Sequence, residues 1–425
     1  MLKNKKIVIG VSGGIAAYKS AELVRKLVNM SVEVKVIMTR SAQEFITPLT
    51  FQTLSGNKVN TGMFSLFEDA SIEHIALANW ADIFVVAPAT ANIIGKISNG
   101  IADDSLSTTI MATKVPILIA PAMNTNMYEN RIVQENIKDL KSMGYHLIGP
   151  DSGDLACGTQ GPGRLADIEY VIEEIDSILT KKDLLGENVL VTAGPTLEPA
   201  DPIRFITNRS TGKMGYAVAK VANKRGAKVT LVSGPSILPV PSNIKFISVE
   251  TAQEMEEAVF DNFEESTIVI KTAAVSDYKF KNIHSKKLKR NKSELIFEME
   301  ETTDILSELG KKKGEKIIVG FAAETEELIS NAKEKLTKKN LDLIIANDVS
   351  IEGAGFKYDT NIVKILDSQG RIKGLPLMSK TEVAQKIFDR VRRIKDQKKR
   401  LKTTATIQDS GLEKTSFNDL FSHEG

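Results

Sequence analysis

The chain has 425 residues, which at roughly 150 residues per domain predicts two or three domains. Apolar residues make up 42% of it and charged residues 26%, and these proportions exclude collagen-like, disordered and disulfide-rich proteins. A net charge of +2 argues against general nucleic-acid binding, and no segment approaches the roughly 20 consecutive apolar residues of a membrane helix. The single cysteine cannot form an internal disulfide or a cysteine-based zinc site. We therefore expect a soluble, cytoplasmic protein without nucleic-acid or membrane partners.

Short apolar runs alternate with helical patterns in the first part of the chain. Strands are predicted at residues 6–11, 32–39, 82–87 and 116–120, with a helix at residues 16–30. This alternation predicts an α/β domain with a doubly wound, Rossmann-like parallel sheet. Such sheets bind ligands in the loops at the carboxyl ends of their strands.

The loop after the first strand, Ser12-Gly13-Gly14, lies just before the first helix. Glycines in this position let backbone N–H groups approach a phosphate at the helix N-terminus. The spacing is not G-x-G-x-x-G, so a single phosphate, as in FMN, suits the loop better than a dinucleotide. A tight turn without a ligand is the alternative interpretation.

Three further residues of this half are candidates for chemistry. His74 precedes an apolar helical stretch, Asn124 follows a buried strand in P-A-M-N-T-N-M, and Cys157 lies in a glycine-rich stretch that ends in G-P-G-R. Each has a structural alternative: a lone histidine is often structural, and an asparagine often caps a helix. A cysteine between glycines indicates an accessible loop thiol.

In this order, the motifs of residues 1–175 resemble those of the flavin-dependent cysteine decarboxylases, although Tyr128 stands where that family often has tryptophan. The resemblance implies a flavodoxin-like, homo-oligomeric domain over residues 1–180 that binds FMN. It also implies that FMN oxidises a substrate cysteine, which loses CO2 and is then reduced, with Cys157 as proton donor. His74 would act at the substrate thiol or orient it, and Asn124 would bind the substrate carboxylate or amide. The residues implied to contact FMN are Ser12, Gly13, Gly14, Ile15, Thr39, Ser41, Pro88, Thr90 and Ala91.

The alternation begins again after a lysine-rich seam at residues 181–186. Strands are predicted at 188–192, 227–232, 267–272, 317–320 and 341–346, with a helix at 213–225, which indicates a second α/β domain over residues 187–395. Between residues 386 and 402 there are nine Lys/Arg and two Asp, interpreted as a solvated last helix that runs into a loose tail. We expect residues 396–425 to form a basic or polar, disordered tail.

Several motifs of the second half suit a nucleotide. The segment Asn208-Arg209-Ser210-Thr211-Gly212-Lys213-Met214-Gly215 opens a helix and could hold phosphate, although ordinary helix capping is an equal alternative. Asp277 ends an apolar strand and could hold a divalent cation. Residues 281–292 carry six Lys/Arg and no acid, and Phe321 could stack on a base. Lys335 and Lys339 lie four apart on a predicted helix, where solvated lysines are the alternative.

In this order, the same motifs resemble those of the phosphopantothenate–cysteine ligases, with Arg290 replacing the last lysine of the basic motif. The resemblance implies that CTP activates 4′-phosphopantothenate as an acyl-cytidylate, which the amine of L-cysteine then attacks. Lys287 would stabilise charge at phosphorus and help the second step, Asn208 would hold the acyl carbonyl, and Asp277 would bind Mg2+ (or Mn2+) or contact the cytidine. Lys335 and Lys339 would bind phosphate. The residues implied to contact CTP are Ser210, Gly212, Lys213, Met214, Lys271, Thr272, Ala273, Asp277, Lys287, Thr302, Thr303, Asp304, Ile305, Phe321, Lys335 and Lys339.

Together the two resemblances imply two successive steps of coenzyme A synthesis, because the ligase product, 4′-phosphopantothenoylcysteine, is the decarboxylase substrate. By analogy they also imply homo-oligomers: trimers of decarboxylase domains, stacked into dodecamers in some cases, and dimers of ligase domains. Two alternatives remain at this point. One is a different flavin enzyme, such as an FMN prenyltransferase, fused to an unrelated nucleotide-binding domain; the other is a flavin-binding regulatory subunit without turnover.

Overall fold

The computed structural model describes residues 2–63, 73–156, 158–289, 296–324, 327–348, 351, 353 and 355–409. The chain divides into two compact units, Met1–Lys181 and Lys182–Gly425. Both contain a largely parallel sheet covered by helices, which confirms the predicted α/β class. Among the helices in the described ranges, none has the length and apolar content needed to cross a bilayer.

Six parallel strands form the sheet of the first unit, in the order β3-β2-β1-β4-β5-β6. They are β1 (Lys6–Val11), β2 (Glu33–Met38), β3 (Val59–Asn60), β4 (Ile83–Ala89), β5 (Ile117–Pro121) and β6 (His146–Leu147). Without the two-residue edge strand β3, the order is the 2-1-3-4-5 of flavodoxin-like folds. The strand order reverses between β1 and β4, so a ligand is expected at their carboxyl ends.

Helices cover both faces of this sheet and bury its apolar strands. They are α1 (Ala17–Asn29), α2 (Pro48–Ser55), α3 (Glu73–Trp80), α4 (Ala91–Ser98), α5 (Ser105–Ala112), α6 (Thr125–Glu129), α7 (Arg131–Ser142) and α8 (Ile168–Leu179). An antiparallel ribbon, β7 (Asp151–Asp154) with β8 (Gln160–Arg164), lies outside the sheet. Helix α1 shows why the sequence predicted it well, since Leu23, Val24 and Leu27 are fully buried on one face.

The second unit contains an eight-stranded sheet in the order β13-β12-β9-β14-β17-β18-β19-β20. The first six of these are parallel, and β19 and β20 are antiparallel. The strands of the unit are β9 (Asn188–Ala193), β10 (Leu197–Pro199), β11 (Phe205–Thr207), β12 (Lys228–Ser233), β13 (Lys245–Ser248), β14 (Ile268–Lys271), β15 (Tyr278–Phe280), β16 (Met299–Glu301), β17 (Ile317–Glu324), β18 (Leu343–Asp348), β19 (Thr360–Asp367) and β20 (Ile372–Ser379). The parallel part reverses its order between β9 and β14.

In the described residues of this unit the helices are α9 (Lys213–Lys224), α10 (Ala252–Phe263), α11 (Ile305–Lys311), α12 (Leu328–Lys338) and α13 (Lys380–Asp409). The short antiparallel pairs β10–β11 and β15–β16 lie outside the sheet. Neither these ribbons nor the hairpin β19–β20 was predicted from the sequence. The apolar runs of the parallel strands gave a clear signal, whereas the ribbons are three residues long and largely exposed.

The expectation of a disordered tail from residue 396 is wrong for residues 396–409, which continue helix α13. The basic side chains of this helix are not simply solvated, because Arg390 pairs with Asp367 and Lys398 with Asp342 at 2.8 Å. Both carboxylates are almost fully buried in the unit, so they hold the helix in place. The rest of the predicted tail, residues 410–425, lies outside the described residues.

Candidate active sites

A cavity of about 1040 Å3 lies at the carboxyl ends of β1 and β4, where the order of the first sheet reverses. Its lining includes Ser12, Gly13, Gly14, Ile15, Thr39, Ser41, Thr90 and Asn124, eight of the residues predicted from the sequence. The loops that carry them follow β1, β2, β4 and β5. Parallel strands place their carboxyl ends at one edge, and this explains why residues so distant in sequence meet here.

Hydrogen bonds from Ser12 tie the first loop to the third. The buried Ser12 hydroxyl donates to the carbonyl oxygen of Pro88 at 2.7 Å and accepts from the backbone N–H of Thr90 at 3.0 Å. The first loop also packs closely on the second. A Cβ on Gly13 would lie 2.3 Å from Ser41 Cβ and 2.8 Å from its carbonyl carbon, so only glycine fits without a shift.

Two predicted flavin contacts, Pro88 and Ala91, are not among the described residues that line the cavity. Pro88 instead contacts the first loop through its backbone, because its carbonyl oxygen accepts the hydrogen bond from the Ser12 hydroxyl. Neither does His74 line the cavity: it lies half-buried in the first turn of α3. Cys157 lies outside the described residues, although its neighbours Leu155 and Ala156 line the cavity.

Asn124 caps a helix and also lies in the cavity lining. Its Oδ1 accepts from the backbone N–H of Asn126 at 2.9 Å and so caps α6, and the residue also lines the cavity. The neighbouring Met123 donates its N–H to the carbonyl oxygen of Gly163 at 3.0 Å. That bond brings the ribbon β7–β8, which flanks Cys157 in sequence, against the Asn124 loop.

Sequence reasoning missed several charged residues of this cavity: Lys19, Arg40, Lys96, Asp104 and Arg164. Lys96 forms ion pairs with Asp103 at 2.6 Å and with Asp104 at 3.1 Å. Arg40, Asp104 and Arg164 carried a local signal: Arg40 follows a predicted strand, Arg164 ends the G-P-G-R motif, and the side chain of Asp104 opens a capping box at the start of α5. Lys19 and Lys96 lie on helices whose contact with the cavity depends on the tertiary fold.

A second cavity, of about 350 Å3, lies at the carboxyl ends of β9 and β14 and at the start of α9. Its lining includes Asn208, Ser210, Gly212, Lys213, Met214, Lys271, Thr272, Ala273, Asp277, Phe321 and Lys335, all of them predicted from the sequence. Helix α9 approaches the strand ends closely at Gly215. A Cβ there would lie 2.5 Å from both Ala193 Cβ and Thr272 Oγ1.

Asn208 is held by two hydrogen bonds at the rim of this cavity. Its Nδ2 donates to the carbonyl oxygens of Ala274 at 3.0 Å and Val275 at 3.2 Å. These bonds direct the amide and link the loop before α9 to the segment after β14. They can form only while the side chain keeps an N–H donor, which aspartate lacks.

Among the predicted residues that line this cavity, Lys271 has the most strongly shifted pKa. Burial lowers the pKa of its ammonium group to about 8; Asp304 and Asp277 oppose that shift, and the nearby charge of Lys339 adds to it. Lys339 pairs with Asp304 at 2.6 Å. Burial raises the pKa of Asp304, but the hydrogen bonds from Lys339 and from the Ser307 backbone more than offset this and the pKa falls.

Six predicted nucleotide contacts are not among the described residues that line the cavity: Lys287, Thr302, Thr303, Asp304, Ile305 and Lys339. Thr302 lies close by, because its N–H donates to the carbonyl oxygen of Asp277 at 2.9 Å. Lys287 is exposed, and the adjacent Leu288 donates its N–H to the buried carboxylate of Asp201 at 3.2 Å. Arg290 lies outside the described residues. In the described part of the chain no cluster of three or more His, Cys, Asp or Glu side chains could hold a metal ion.

The second cavity also contains residues that were not among the predicted nucleotide contacts: Arg209, Asn347, Phe356, Asn361 and Lys380. Asn347 directly follows the strand predicted at residues 341–346, so its place at the carboxyl edge of the sheet was open to inference. Asn361 and Lys380 come from the hairpin β19–β20 and the start of α13. Their approach to the cavity follows from antiparallel pairing, which the sequence did not indicate.

Comparisons with known proteins match one family model to each of the two units of the chain. Residues 1–180 match the family model described as Flavoprotein, and residues 184–394 match that of the DNA/pantothenate metabolism flavoprotein C-terminal domain. The Bacillus subtilis (strain 168) coenzyme A biosynthesis bifunctional protein CoaBC is 49% identical over 395 residues, 92% of this chain and 97% of that protein. The Escherichia coli (strain K12) protein of the same name is 43% identical over 404 residues, 94% and 99% of the two chains. A solved structure of the C-terminal domain of such a protein is 42% identical, with a TM-score of 0.44, and covers 50% of this chain and 97% of its own.

Proposed function

The chain belongs to the family of bifunctional coenzyme A biosynthesis proteins, and from that premise we propose how its two cavities divide the chemistry. It is an enzyme with a flavoprotein decarboxylase domain and a ligase domain. The first cavity takes FMN and 4′-phosphopantothenoylcysteine. The second takes CTP, 4′-phosphopantothenate and L-cysteine.

One observation carries the ligase assignment. The loop before α9, the end of β14 and Lys335 of α12 line a single cavity at the point where the strand order reverses. That cavity combines lysines, hydroxyls and a helix N-terminus, which together suit a polyphosphate. Asp277 is the one acidic side chain among the described lining residues. With no cluster of acidic residues beside it, Asp277 suits a Mg2+ ion whose other ligands are nucleotide oxygens and water.

Ligation proceeds in two steps at this cavity. The carboxylate of 4′-phosphopantothenate attacks the α-phosphorus of CTP, which releases pyrophosphate and leaves an acyl-cytidylate. The amine of cysteine then attacks the acyl carbon, loses a proton and displaces CMP. Asn208 orients the acyl group, Lys271, Lys213 and Lys335 bind phosphate oxygens, and Lys287 stabilises the charge that develops at phosphorus. Lys287 is exposed and is not among the described residues that line the cavity, so we expect its segment to approach the substrates during the reaction.

The first cavity fits FMN. The Ser12–Gly14 loop and the start of α1 would hold its phosphate, with Ser41 and Thr90 beside them. When bound, FMN would take two electrons from the substrate thiol and return them after CO2 has left. Asn124 would bind the amide or carboxylate of the substrate, and Cys157 would give a proton to the product. His74 would act at the substrate thiol, although it is not among the described residues that line the cavity of its own chain.

We propose a homo-oligomer by analogy with the two enzyme families that the sequence resembles. Some large apolar side chains are exposed in both units: Leu49 and Ile132 are 68% and 67% exposed in the first, and Phe205 and Ile283 are 53% and 62% exposed in the second. Association between copies would bury such side chains. Trimers through the decarboxylase domains, with or without stacking into dodecamers, and dimers through the ligase domains remain our proposal.

Mass spectrometry of reaction products tests the proposed function. Purified protein given 4′-phosphopantothenate, L-cysteine, Mg2+ and CTP should form 4′-phosphopantetheine. A Cys157→Ser variant should instead stop at the enethiol, which is lighter by two hydrogen atoms, because its proton donor is gone. Wild-type protein that condenses nothing with CTP or with ATP would contradict the ligase assignment. Fully reduced product from Cys157→Ser would contradict the role of Cys157.

Gly13→Ala should weaken FMN binding by about 5- to 150-fold, the equivalent of about 1–3 kcal/mol of overpacking. The new methyl group would push the first loop away from Ser41 and so displace the backbone N–H groups that face the phosphate. Quenching of flavin fluorescence by the apoprotein measures the dissociation constant. Gly62→Ala is the matched control, since its Cβ would meet nothing within 4 Å. Equal affinities of the two variants would refute this account of the loop.

A further inference from the structure

Lys380, the first residue of α13, lines the second cavity but belongs to none of the ligase motifs. It is only 6% exposed, which is unusual for lysine. Its ammonium group donates to three carbonyl oxygens, those of Gly355 at 3.4 Å, Phe356 at 3.3 Å and Tyr358 at 2.5 Å. Its backbone N–H donates to the carbonyl oxygen of Asp359 at 2.9 Å. Lys380 therefore gathers the segment 355–359 around itself.

The same segment is bonded on its other side to the loop that opens α9. Thr211 Oγ1 donates to the carbonyl oxygen of Phe356 at 2.8 Å, and Lys213 Nζ donates to that of Lys357 at 2.9 Å. Lys213 Nζ also pairs with Asp359 Oδ1 at 2.7 Å. Residues 355–359, here called the 355–359 bridge, thus connect Lys380 to two residues of the candidate phosphate loop.

The charges around the bridge are arranged for an anion. Burial lowers the pKa of Lys380 to about 8, the charge on Lys213 adds to that effect, and Asp359 opposes it. Asp359 forms its ion pair with Lys213, whereas the hydrogen bonds of the Lys380 ammonium group go to uncharged carbonyl oxygens. A phosphate group in the cavity would add the negative charge that this arrangement lacks.

Lys380 is not needed to start its helix. Ser379 and Glu382 already form a reciprocal cap: the Glu382 N–H donates to Ser379 Oγ at 3.2 Å, and the Ser379 N–H donates to Glu382 Oε2 at 2.9 Å. The buried ammonium group thus has its hydrogen-bond partners in the bridge rather than in the helix.

We propose that Lys380 is a positioning residue for the phosphates of the nucleotide: it holds the 355–359 bridge against the loop before α9 and so fixes Thr211 and Lys213. The inference rests on the proposed ligase function and adds to it a residue from the antiparallel end of the sheet. Lys380 acts through the bridge, so its loss should weaken nucleotide binding more than it slows the chemical step.

The test is steady-state kinetics of Lys380→Met, which keeps the length of the side chain and removes its charge. We expect the KM for CTP to rise about tenfold or more. The KM for L-cysteine, and decarboxylation of 4′-phosphopantothenoylcysteine by the same chain, should change by no more than about twofold. Lys386→Met, on the exposed side of α13, is the matched control and should leave all of these values unchanged.

An unchanged KM for CTP in Lys380→Met would overturn the inference, and so would an equal rise in the KM values for CTP and L-cysteine. If Lys380→Met fails to fold, Lys380→Arg decides the question. The arginine keeps the charge, but its planar group cannot donate to the three carbonyls in the same geometry. We then expect a raised KM for CTP with a normal KM for L-cysteine, and a normal KM for CTP would overturn the inference. Wild-type protein that forms no amide with CTP would instead refute the proposed function itself.

Discussion

Replacing Asn208 with aspartate should lower ligase turnover by about 100-fold while leaving decarboxylation intact. The substitution keeps the shape of the side chain but removes the N–H donor that now bonds the carbonyl oxygens of Ala274 and Val275. A carboxylate in its place would be repelled by both carbonyl oxygens and by the phosphates of the nucleotide. The side chain should therefore turn away from the cavity, so that the acyl group loses the residue that orients it.

The measurement is the rate of 4′-phosphopantothenoylcysteine formation with CTP, and decarboxylation of that compound by the same preparation shows that the chain is intact. Asn223→Asp is a matched control, because the Asn223 amide also donates to a carbonyl oxygen, that of Ser242 at 3.0 Å, and does not line the cavity. Ligase turnover of Asn208→Asp within about threefold of that of Asn223→Asp would show that Asn208 has no part in the reaction.

The sites could be predicted from the sequence to the extent that they depend on parallel strands. An apolar run identifies such a strand, and the residues that follow it must lie at the carboxyl edge of the sheet. Ser12, Thr90 and Asn124 meet in one cavity for this reason, as do Gly212 and Lys271 in the other. A residue directly after a buried strand is thus placed by the strand order alone.

The remaining residues of the sites could not be predicted because their positions depend on long-range contacts. Lys287 lies in a predicted basic motif, yet the exposed segment that carries it is bonded to Asp201 and not to the cavity. Lys380 lines the cavity only because the hairpin β19–β20 extends the sheet and returns the chain to it. Likewise, the basic residues of α13 gave no sign of the buried carboxylates, Asp342 and Asp367, that hold the helix to the unit.

Lys271→Met should lower kcat/KM for CTP by about 10- to 150-fold at pH 7, because a hydrogen bond to a charged group contributes about 1.5–3 kcal/mol. Lys271 is the last residue of β14 and lines the cavity, so the strand itself fixes where its ammonium group lies. The pH profile adds a second test. With a pKa of about 8, Lys271 loses its charge above that pH in the free enzyme, so wild-type kcat/KM for CTP should fall as the pH rises through 8.

Unfolding cannot account for this fall in kcat/KM through Lys271, because the same group makes the folded protein more stable as the pH rises. The folded-state pKa of Lys271 lies below the ordinary value of 10.5, so the unfolded chain binds more protons between pH 8 and 10.5. Through this group the free energy of unfolding therefore rises with pH across the same window in which activity is lost. Lys271→Arg, which stays charged, should flatten the decline, and the part that persists would come from Lys380, whose pKa is also about 8. Lys228→Met is the control: Lys228 is the first residue of β12 and so lies at the amino edge of the sheet, opposite the cavity. This variant should keep the wild-type profile. A decline as steep in Lys271→Arg as in the wild type would mean that another group controls it.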